Sequence, residues 1–185
     1  MITFITYDSL TKEILEQCSK LYSEHYGFWL NNKCIKLTPT KLKTMYLYDK
    51  TCGVVLAEID GQLIGHSFYA EFENCLWITQ LVVHKDFRRR GIGTSLVSKI
   101  LEIDWKYVGI ASSNPYAIQI LKKVTNGIIC SLEIVEIIMQ GCTVPYLKGK
   151  NFTTSTIDSQ FDIRHDILGD ELAQGHELLC VVKRS

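Results

Sequence analysis

The sequence lacks an excess of charge of either sign. Twenty Lys and Arg residues balance twenty Asp and Glu residues in 185, so the formal net charge at pH 7 is zero. Proteins that bind nucleic acids or anionic membranes through a broad surface usually carry a clear basic excess. We therefore expect no nucleic-acid and no membrane partner, and any site for a polyanion must be local.

Long apolar runs and a leader segment are also missing. No stretch reaches the roughly 18 apolar residues that a membrane-spanning helix needs. The N-terminal residues have no basic segment followed by a continuous apolar core, and acids come early, at Asp8 and Glu13. This composition is unlike that of a secretory signal peptide. The sequence therefore predicts a cytoplasmic protein.

The seven cysteines are scattered and include no Cys-x-x-Cys pair. A disulfide framework would use an even set and a structural zinc site would use close pairs, so the pattern favours reduced thiols and no metal. The apolar fraction of 46% and the charged fraction of 22% are typical of a folded globular protein. Since domains usually have about 100–200 residues, we expect residues 1–185 to form a single domain.

The spacing of apolar residues predicts the N-terminal elements. Residues 2–7 predict a strand, and apolar positions at helical spacing from Leu10 to Tyr22 predict a helix. The segment 26–37 is typical of a loop or a broken helix. Thr38-Pro39 then predicts the start of a short helix that ends at about Tyr48, because proline fits the first helical position.

From residue 51 the pattern changes to strands. Residues 51–72 predict a hairpin around the turn pair Asp60-Gly61. Residues 75–83 predict a third strand, and the second half of it is apolar on both faces, as in a central strand. A helix, a strand and a second helix beginning at Asn114-Pro115 follow, which implies a parallel crossover.

The predicted fold class is therefore α/β (α+β), with a mixed, mostly antiparallel central sheet, a parallel crossover pair and flanking helices. Beyond this core the prediction is less specific. Residues 128–139 fit either a strand or a helix, and residues 141–155 are typical of a loop. Two closing strands are expected at 155–163 and 176–184.

One loop concentrates positive charge in this neutral chain. Arg88-Arg89-Arg90 precede Gly91-Ile92-Gly93-Thr94, between the buried strand and a helix. Glycine lets the backbone turn tightly and approach a ligand, and the first N–H groups of a helix are unpaired and attract anions. Arginine adds donors that match phosphate oxygens bidentately. The loop therefore indicates a site for a phosphate-bearing ligand.

Three other interpretations of this loop were weighed. A P-loop needs a lysine after its last glycine, but Thr94 follows Gly93 directly. A dinucleotide fingerprint needs a third glycine where Leu96 stands. A solvated basic turn, in which the two glycines serve only chain reversal, stays open on the residues alone.

Two motifs carry a resemblance to a known family. Arg88-x-x-Gly91-x-Gly93, after the strand Leu81-Val82-Val83, resembles the acyl-CoA motif of the GNAT superfamily of N-acetyltransferases: Gln or Arg, two residues, Gly, one residue, then Gly or Ala. Ser113-Asn114-Pro115-Tyr116-Ala117 is similar to the next strand end of that family, where an Asn and an Ala three residues later open a helix. The motifs lie in the expected order, and the resemblance covers roughly residues 52–126.

The resemblance implies a GNAT-like fold in which acetyl-CoA donates an acetyl group to a primary amine that attacks directly, without a metal. It implies that the pyrophosphate lies on amides from Arg89 to Thr94, with Arg88 or Arg90 as side-chain partners. It also implies that the thioester carbonyl accepts the Val83 N–H, as in an oxyanion site. The implied cofactor-binding residues are Leu81, Val82, Val83, Arg88, Arg89, Arg90, Gly91, Ile92, Gly93, Thr94, Asn114 and Ala117.

The catalytic side chains depart from the family pattern. Many members carry a tyrosine seven residues after the helix-opening Asn, to protonate the leaving thiolate, but Leu121 stands there. Tyr116 is the alternative acid. The central strand contains no carboxylate, and Gln80 cannot usefully accept a proton, so the general base is unassigned. The weighed candidates for it are Glu24, His25, His66, Glu71 and Glu73.

Acceptor binding is predicted near Tyr26 and Trp29, because aromatic rings beside an acid can receive an amine. The acceptor is expected to be a small-molecule or peptide amine. The region 128–176 is longer than a minimal family member needs, so it is a candidate insertion, specificity region or contact of a homodimer. Two rival functions stay open: a non-catalytic acyl-CoA-binding module, and a structural domain whose arginines contact a protein or RNA.

Overall fold

The computed structural model describes residues 1–29, 33–160 and 172–185 in full, together with the backbone of residues 163–164. Parts of the predicted loop 26–37 and of the predicted strand 155–163 lie outside the described residues.

The described chain contains strands and helices in a mixed order. The strands are β1 (Ile2–Thr6), β2 (Phe28–Trp29), β3 (Cys52–Ile59), β4 (Gln62–Phe72), β5 (Cys75–Val83), β6 (Tyr107–Ser112), β7 (Ile128–Ile129), β8 (Thr156–Asp158), β9 (Ile163–Arg164) and β10 (His176–Lys183). The helices are α1 (Lys12–His25), α2 (Pro39–Met45), α3 (Ile92–Ile100), α4 (Pro115–Thr125) and α5 (Leu132–Gln140).

Eight strands form one sheet in the order β1-β3-β4-β5-β6-β10-β7, with β8 also paired to β10. Strands β5 and β6 are parallel, whereas the other pairs in this sheet are antiparallel. This arrangement confirms the predicted fold class. The apolar segment 128–139 divides into the short strand β7 and helix α5, which explains why its pattern fitted both.

Strand β5 is buried on both faces, as its sequence predicts. Cys75 and Trp77 pack with residues of α1, α2 and α5, whereas Leu76 and Ile78 pack with residues of α3 and α4. Trp77 needs Gly109 beside it on β6, because a Cβ at that position would collide with the indole ring. The seven cysteines are all free thiols.

Helix α3 begins two residues before the expected start at Thr94. Gly91 adopts a left-handed conformation, φ 81° and ψ −2°, and serves as the N-cap. The first helical hydrogen bond runs from the Ser95 N–H to the Gly91 carbonyl over 2.9 Å. Both glycines of the motif therefore lie at the N-terminus of the helix, which places that end against the sheet.

Candidate functional site

The parallel strands β5 and β6 separate halfway along β5. Their pairing covers Cys75–Ile78 on β5 and Tyr107–Ile110 on β6. At the same point the register between β4 and β5 shifts, since Phe68 lies opposite Gln80 but Tyr69 lies opposite Ile78. Thr79 is thus the extra residue of a β-bulge, which bends a strand and interrupts pairing. Beyond the bulge, β5 follows β4 and leaves a gap beside β6.

The backbone of β5 presents unpaired polar groups to this gap. The His84 N–H donates to the Ile64 carbonyl over 2.8 Å, so this is a hydrogen-bonded pair of the antiparallel ladder. Such pairs alternate with pairs that turn their N–H and C=O groups away from each other. Leu81 and Val83 occupy the turned-away positions. The Val83 carbonyl accepts from Arg88 Nε. The Leu81 N–H and C=O and the Val83 N–H therefore form an edge to which an extended, amide-bearing ligand can pair.

The basic loop follows directly at the end of β5. Arg89 and Gly91 both have left-handed backbone, with φ of 61° and 81°. Within the described chain, the N–H groups from Arg89 to Thr94 donate no hydrogen bond. The N–H groups of Ile92, Gly93 and Thr94 lie at the positive end of the α3 dipole. This cluster of free donors suits an anion such as a diphosphate.

The gap and the loop form one cleft of about 500 Å³. Its described lining includes three cations, Arg88, Arg89 and Lys123, and no carboxylate, which favours an anionic ligand. The cleft contains every predicted cofactor-binding residue except Arg90. The lining consists of His25, Tyr26, Leu81, Val82, Val83, Phe87, Arg88, Arg89, Gly91, Ile92, Gly93, Thr94, Ser112, Ser113, Asn114, Tyr116, Ala117, Gln119, Ile120 and Lys123.

The three arginines have different environments. Arg88 donates from Nε to the Val83 carbonyl over 3.1 Å and from a terminal nitrogen to the His25 carbonyl, and burial lowers its pKa. The Arg90 guanidinium lies 5.4 Å from the centroid of the Phe87 ring. Arg89 lines the cleft. Arg88 and Arg89 thus line the cleft whereas Arg90 does not, and the assignment of Arg88 or Arg90 as side-chain partners of the pyrophosphate stays a prediction.

The second motif forms the N-terminus of α4. The Asn114 side chain accepts a hydrogen bond from the Tyr116 N–H over 3.0 Å, and Pro115 occupies the first turn. Tyr116 lines the cleft and is 44% exposed. Leu121, at the usual place of the family's tyrosine, is fully buried in the core. Sequence reasoning missed the cleft residues Gln119, Ile120 and Lys123, although they follow Tyr116 at helical spacing.

The three candidate bases on the hairpin do not line the cleft. Glu71 pairs with Leu76 and Glu73 precedes β5, whereas the cleft lining on that strand begins at Leu81, about 17 Å further along at 3.3 Å per residue. His66 is fully buried, its Nε2 lies 2.6 Å from Gln80 Oε1, and burial lowers its pKa to about 4. Its imidazole is therefore neutral at neutral pH.

The two weighed bases after α1 also differ in position. His25 lines the cleft, and its ring lies 3.9 Å from the ring of His84. Burial, followed by the charge of His84, lowers the pKa of His25. Glu24 is exposed, 3.8 Å from His25 Nε2. Of the five candidates, His25 is thus the one that the fold brings to the cleft.

A carboxylate that sequence reasoning missed lies behind the cleft. Glu177 on β10 is 5% exposed and is the buried acid among the described residues. Burial raises its pKa, while hydrogen bonds from the Ser159 side chain and the Ser113 backbone act in the opposite direction. Alternation along β10 could have revealed it, because Glu177 shares a face with the core residues Leu179 and Val181.

Of the two predicted acceptor residues, one lies at the cleft. Tyr26 lines it and stacks on Tyr22 with ring centroids 4.2 Å apart. Trp29 lies outside the cleft lining, on β2, where it pairs with Ile163 of β9.

The described residues contain neither a membrane-spanning helix nor a cluster of metal ligands. No helix there combines the length and apolar character that crossing a bilayer requires. Among the described His, Cys, Asp and Glu side chains, no group of three is placed to hold a metal ion.

Comparisons with known proteins agree with this architecture. The structure of ribosomal-protein-S18-alanine N-acetyltransferase from Escherichia coli matches with a TM-score of 0.59 at 10% identity, covering 100% of this chain and 95% of that one. An acyl-CoA N-acyltransferase from Pseudomonas aeruginosa matches with a TM-score of 0.55 at 18% identity, covering 71% and 90%. An aminoglycoside acetyltransferase from an uncultured soil metagenomic sample matches with a TM-score of 0.50 at 16% identity, covering 67% and 86%.

At these identities the structural matches establish the fold alone. A search of curated proteins found no match. The model of the acetyltransferase (GNAT) family matches residues 14–124, which is more than half of the chain. The protein therefore belongs to the GNAT acetyltransferase family.

Proposed function

We propose that this protein, with residues 1–185 as a single N-acetyltransferase domain, transfers an acetyl group from acetyl-CoA to a primary amine by direct attack. The observation that carries the proposal is the continuous cleft formed by the unpaired edge of β5 and the amides at the start of α3. The edge of β5 can pair with the amides of an extended ligand, and the adjacent N–H donors can bind phosphates. A CoA thioester contains both kinds of group. Acetyl-CoA supplies the activated acetyl group.

Each part of the cleft has a role in this proposal. The N–H and C=O of Leu81 pair with the pantetheine arm, the Val83 N–H faces the thioester, and Val82 holds the strand in place from its buried side. The amides from Arg89 to Thr94, which include Ile92, bind the diphosphate with the Arg89 side chain. Asn114 and Ala117 position the first turn of α4 beside the arm.

The Val83 N–H supports the reaction electrostatically. The negative charge that develops on the thioester oxygen during attack needs a donor, and one such donor contributes about 3 kcal/mol in acyl transfer. Arg88 steadies this position, because it holds the Val83 carbonyl and the end of α1 together. Tyr116, which lines the cleft, is the candidate that protonates the thiolate, and His25, which also lines it, is the candidate that accepts the proton lost by the amine.

A second function is favoured by one observation. Leu121 is fully buried and carries no hydroxyl at the position where many family members protonate the leaving group. A non-catalytic acyl-CoA-binding module of the same fold would need the cleft but not this acid.

Two measurements separate these functions. Acetyl-CoA at about 100 times its dissociation constant should stabilise the fold by about 2.7 kcal/mol in thermal unfolding. No stabilisation at millimolar acetyl-CoA would overturn both. Release of free CoA thiol is then followed with peptides bearing free N-termini, aminoglycosides, polyamines and amino acids. Acetylation of one class supports the enzyme, whereas stabilisation without thiol release favours the module.

A further inference from the structure

The carboxylate of Glu177 lies between the cleft and a group of tyrosines. Leu178 pairs with Ser112 in the β10–β6 ladder, so Glu177 falls opposite Ser113, just where β6 ends. The Ser113 backbone donates to its carboxylate, and Ser113 lines the cleft. Glu177 is therefore directly behind the wall of the proposed thioester site.

Four tyrosines pack in the core on the face of β10 that Glu177 shares with Leu179 and Val181, and we call them the tyrosine cluster: Tyr22, Tyr26, Tyr46 and Tyr146. Burial and then the charge of Glu177 raise the pKa of Tyr46, and the same charge acts on the other three hydroxyls. The Tyr46 and Tyr146 rings have centroids 5.4 Å apart. Tyr146 also donates to the Thr79 carbonyl over 3.2 Å, which attaches the cluster to the bulge of β5.

The cluster has access to solvent as well as a buried interior. Tyr22 is fully buried, whereas Tyr26, Tyr46 and Tyr146 are each partly exposed. Tyr26 also lines the cleft. A small group entering between these rings would therefore approach both Glu177 and the thioester site.

Glu177 lacks a compensating cation within the described residues. Its hydrogen bonds come from neutral donors, Ser159 and Ser113, and no described cation acts on it. A buried carboxylate without a positive partner is costly, so such groups usually serve a ligand or a reaction. At the bulge that Tyr146 contacts, the buried Thr79 Oγ1 lacks a hydrogen-bond partner in the described structure, and a hydroxyl oxygen can accept from an ammonium group. Among the described residues, the Glu177 carboxylate is therefore without the cation that would balance its charge.

We propose that Glu177 and the tyrosine cluster bind the ammonium group of the acceptor amine before acetyl transfer. This inference rests on the proposed function. The carboxylate supplies the charge, and the faces of the rings attract a cation. Glu177 is a specificity-determining residue in this proposal, selecting a cationic amine over a neutral group of the same shape.

The test uses n-butylamine as a probe and n-butanol as its neutral control. Binding of each to the full chain loaded with CoA is measured by calorimetry near neutral pH, at up to about 100 mM probe because small ligands bind weakly. We expect n-butylamine to bind at least about tenfold more weakly to Glu177→Gln than to the unmodified chain, since only the charge is removed. Binding of n-butanol should not differ between the two proteins.

Glu136→Gln is the matched control, because Glu136 is an exposed acid on α5, and it should bind n-butylamine as the unmodified chain does. Acetyl-CoA affinity is measured for all three proteins, which also verifies that the variants fold. The inference would be overturned if n-butylamine did not bind detectably to the unmodified chain, or if it bound equally to Glu177→Gln. Acetyl-CoA binding in the same experiment would still support the proposed function. Loss of acetyl-CoA binding in the unmodified chain would instead overturn the proposed function itself.

Discussion

Replacement of Gly91 by glutamate tests the diphosphate site most directly. A Cβ at Gly91 would meet no atom within 4 Å, but the φ of 81° is a conformation that side chains rarely adopt. The left-handed conformation costs a non-glycine residue about 1–2 kcal/mol. A carboxylate at the helix N-terminus returns about 0.3–1 kcal/mol of this. The net loss of folding free energy should therefore be modest, and Gly91→Glu should fold.

The effect on ligand binding should be larger than the effect on stability. A carboxylate about 6 Å from a phosphate charge repels it by about 3 kcal/mol at an effective dielectric constant of about 20. Salt screens part of this repulsion at the exposed loop. We therefore expect acetyl-CoA to bind to Gly91→Glu about tenfold to a hundredfold more weakly than to the unmodified chain.

The chain provides a matched control for the conformational cost. Gly61, in the β3–β4 turn, has a φ of 76° and also has no atom within 4 Å of a Cβ. At about 2–4 °C per kcal/mol, Gly61→Glu should lower the melting temperature by about 2–8 °C, and Gly91→Glu by somewhat less, about 0–7 °C, because of the favourable helix N-terminus. Thermal unfolding with and without acetyl-CoA measures both effects. Stabilisation of Gly91→Glu by acetyl-CoA as large as that of Gly61→Glu would refute the placement of the diphosphate.

Three further predictions concern the cleft and the carboxylate behind it. Gly93→Val should fold, because the nearest atom to a new Cβ is the flexible end of the Ile120 side chain, 2.9 Å away, which can shift. The valine should fill part of the cleft and weaken acetyl-CoA binding at least about tenfold, as measured by calorimetry. Unchanged affinity would contradict the assignment of Gly93 to the cleft wall. Arg89→Ala should weaken acetyl-CoA binding by about 1.5–3 kcal/mol. Arg90→Ala should change the affinity for acetyl-CoA by no more than about twofold. Equal losses of affinity would show that the three arginines act only through their net charge. Burial raises the pKa of Glu177, so the ionised carboxylate destabilises the fold at pH values above that raised pKa. This destabilisation disappears as the pH falls to the ordinary carboxyl range, because the side chain is then neutral in both the folded and the unfolded protein. Glu177→Gln should therefore melt higher than the unmodified chain at neutral pH and equally at about pH 4; a lower melting temperature at neutral pH would refute this.

The central part of the fold could be predicted because its local patterns agree with one another. The Asp60-Gly61 turn, the doubly apolar strand β5 and the Asn114-Pro115 helix start each specify an element without reference to the rest of the chain. The motif from Arg88 to Thr94 located the cleft for the same reason, since glycines at a helix N-terminus have a local effect on the backbone.

Residues that act through tertiary contacts could not be predicted in this way. Whether Arg88 points to a ligand or to the carbonyls of Val83 and His25 depends on how α1 packs against β5. Glu177 lies 60 residues after the end of the second motif at Ala117 and 84 residues after Gly93 of the first, and antiparallel pairing of β10 with β6 brings it to Ser113. The sequence places Glu177 on the apolar face of β10, but it does not show that Ser113 and the tyrosines lie near it.

The bulge at Thr79 connects the cofactor cleft to the tyrosine cluster. Trp77 and Val82 pack in the same core cluster although they are five residues apart, whereas Ile78 packs with Leu81 on the other side. Strict alternation would place Trp77 and Leu81 on one face, so a single extra residue has exchanged the faces of the second half of β5. The same residue ends the pairing with β6 and gives Tyr146 a carbonyl to bind. Because one backbone irregularity produces both the gap and the contact with the tyrosines, the proposed donor and acceptor sites are attached to the same point of β5.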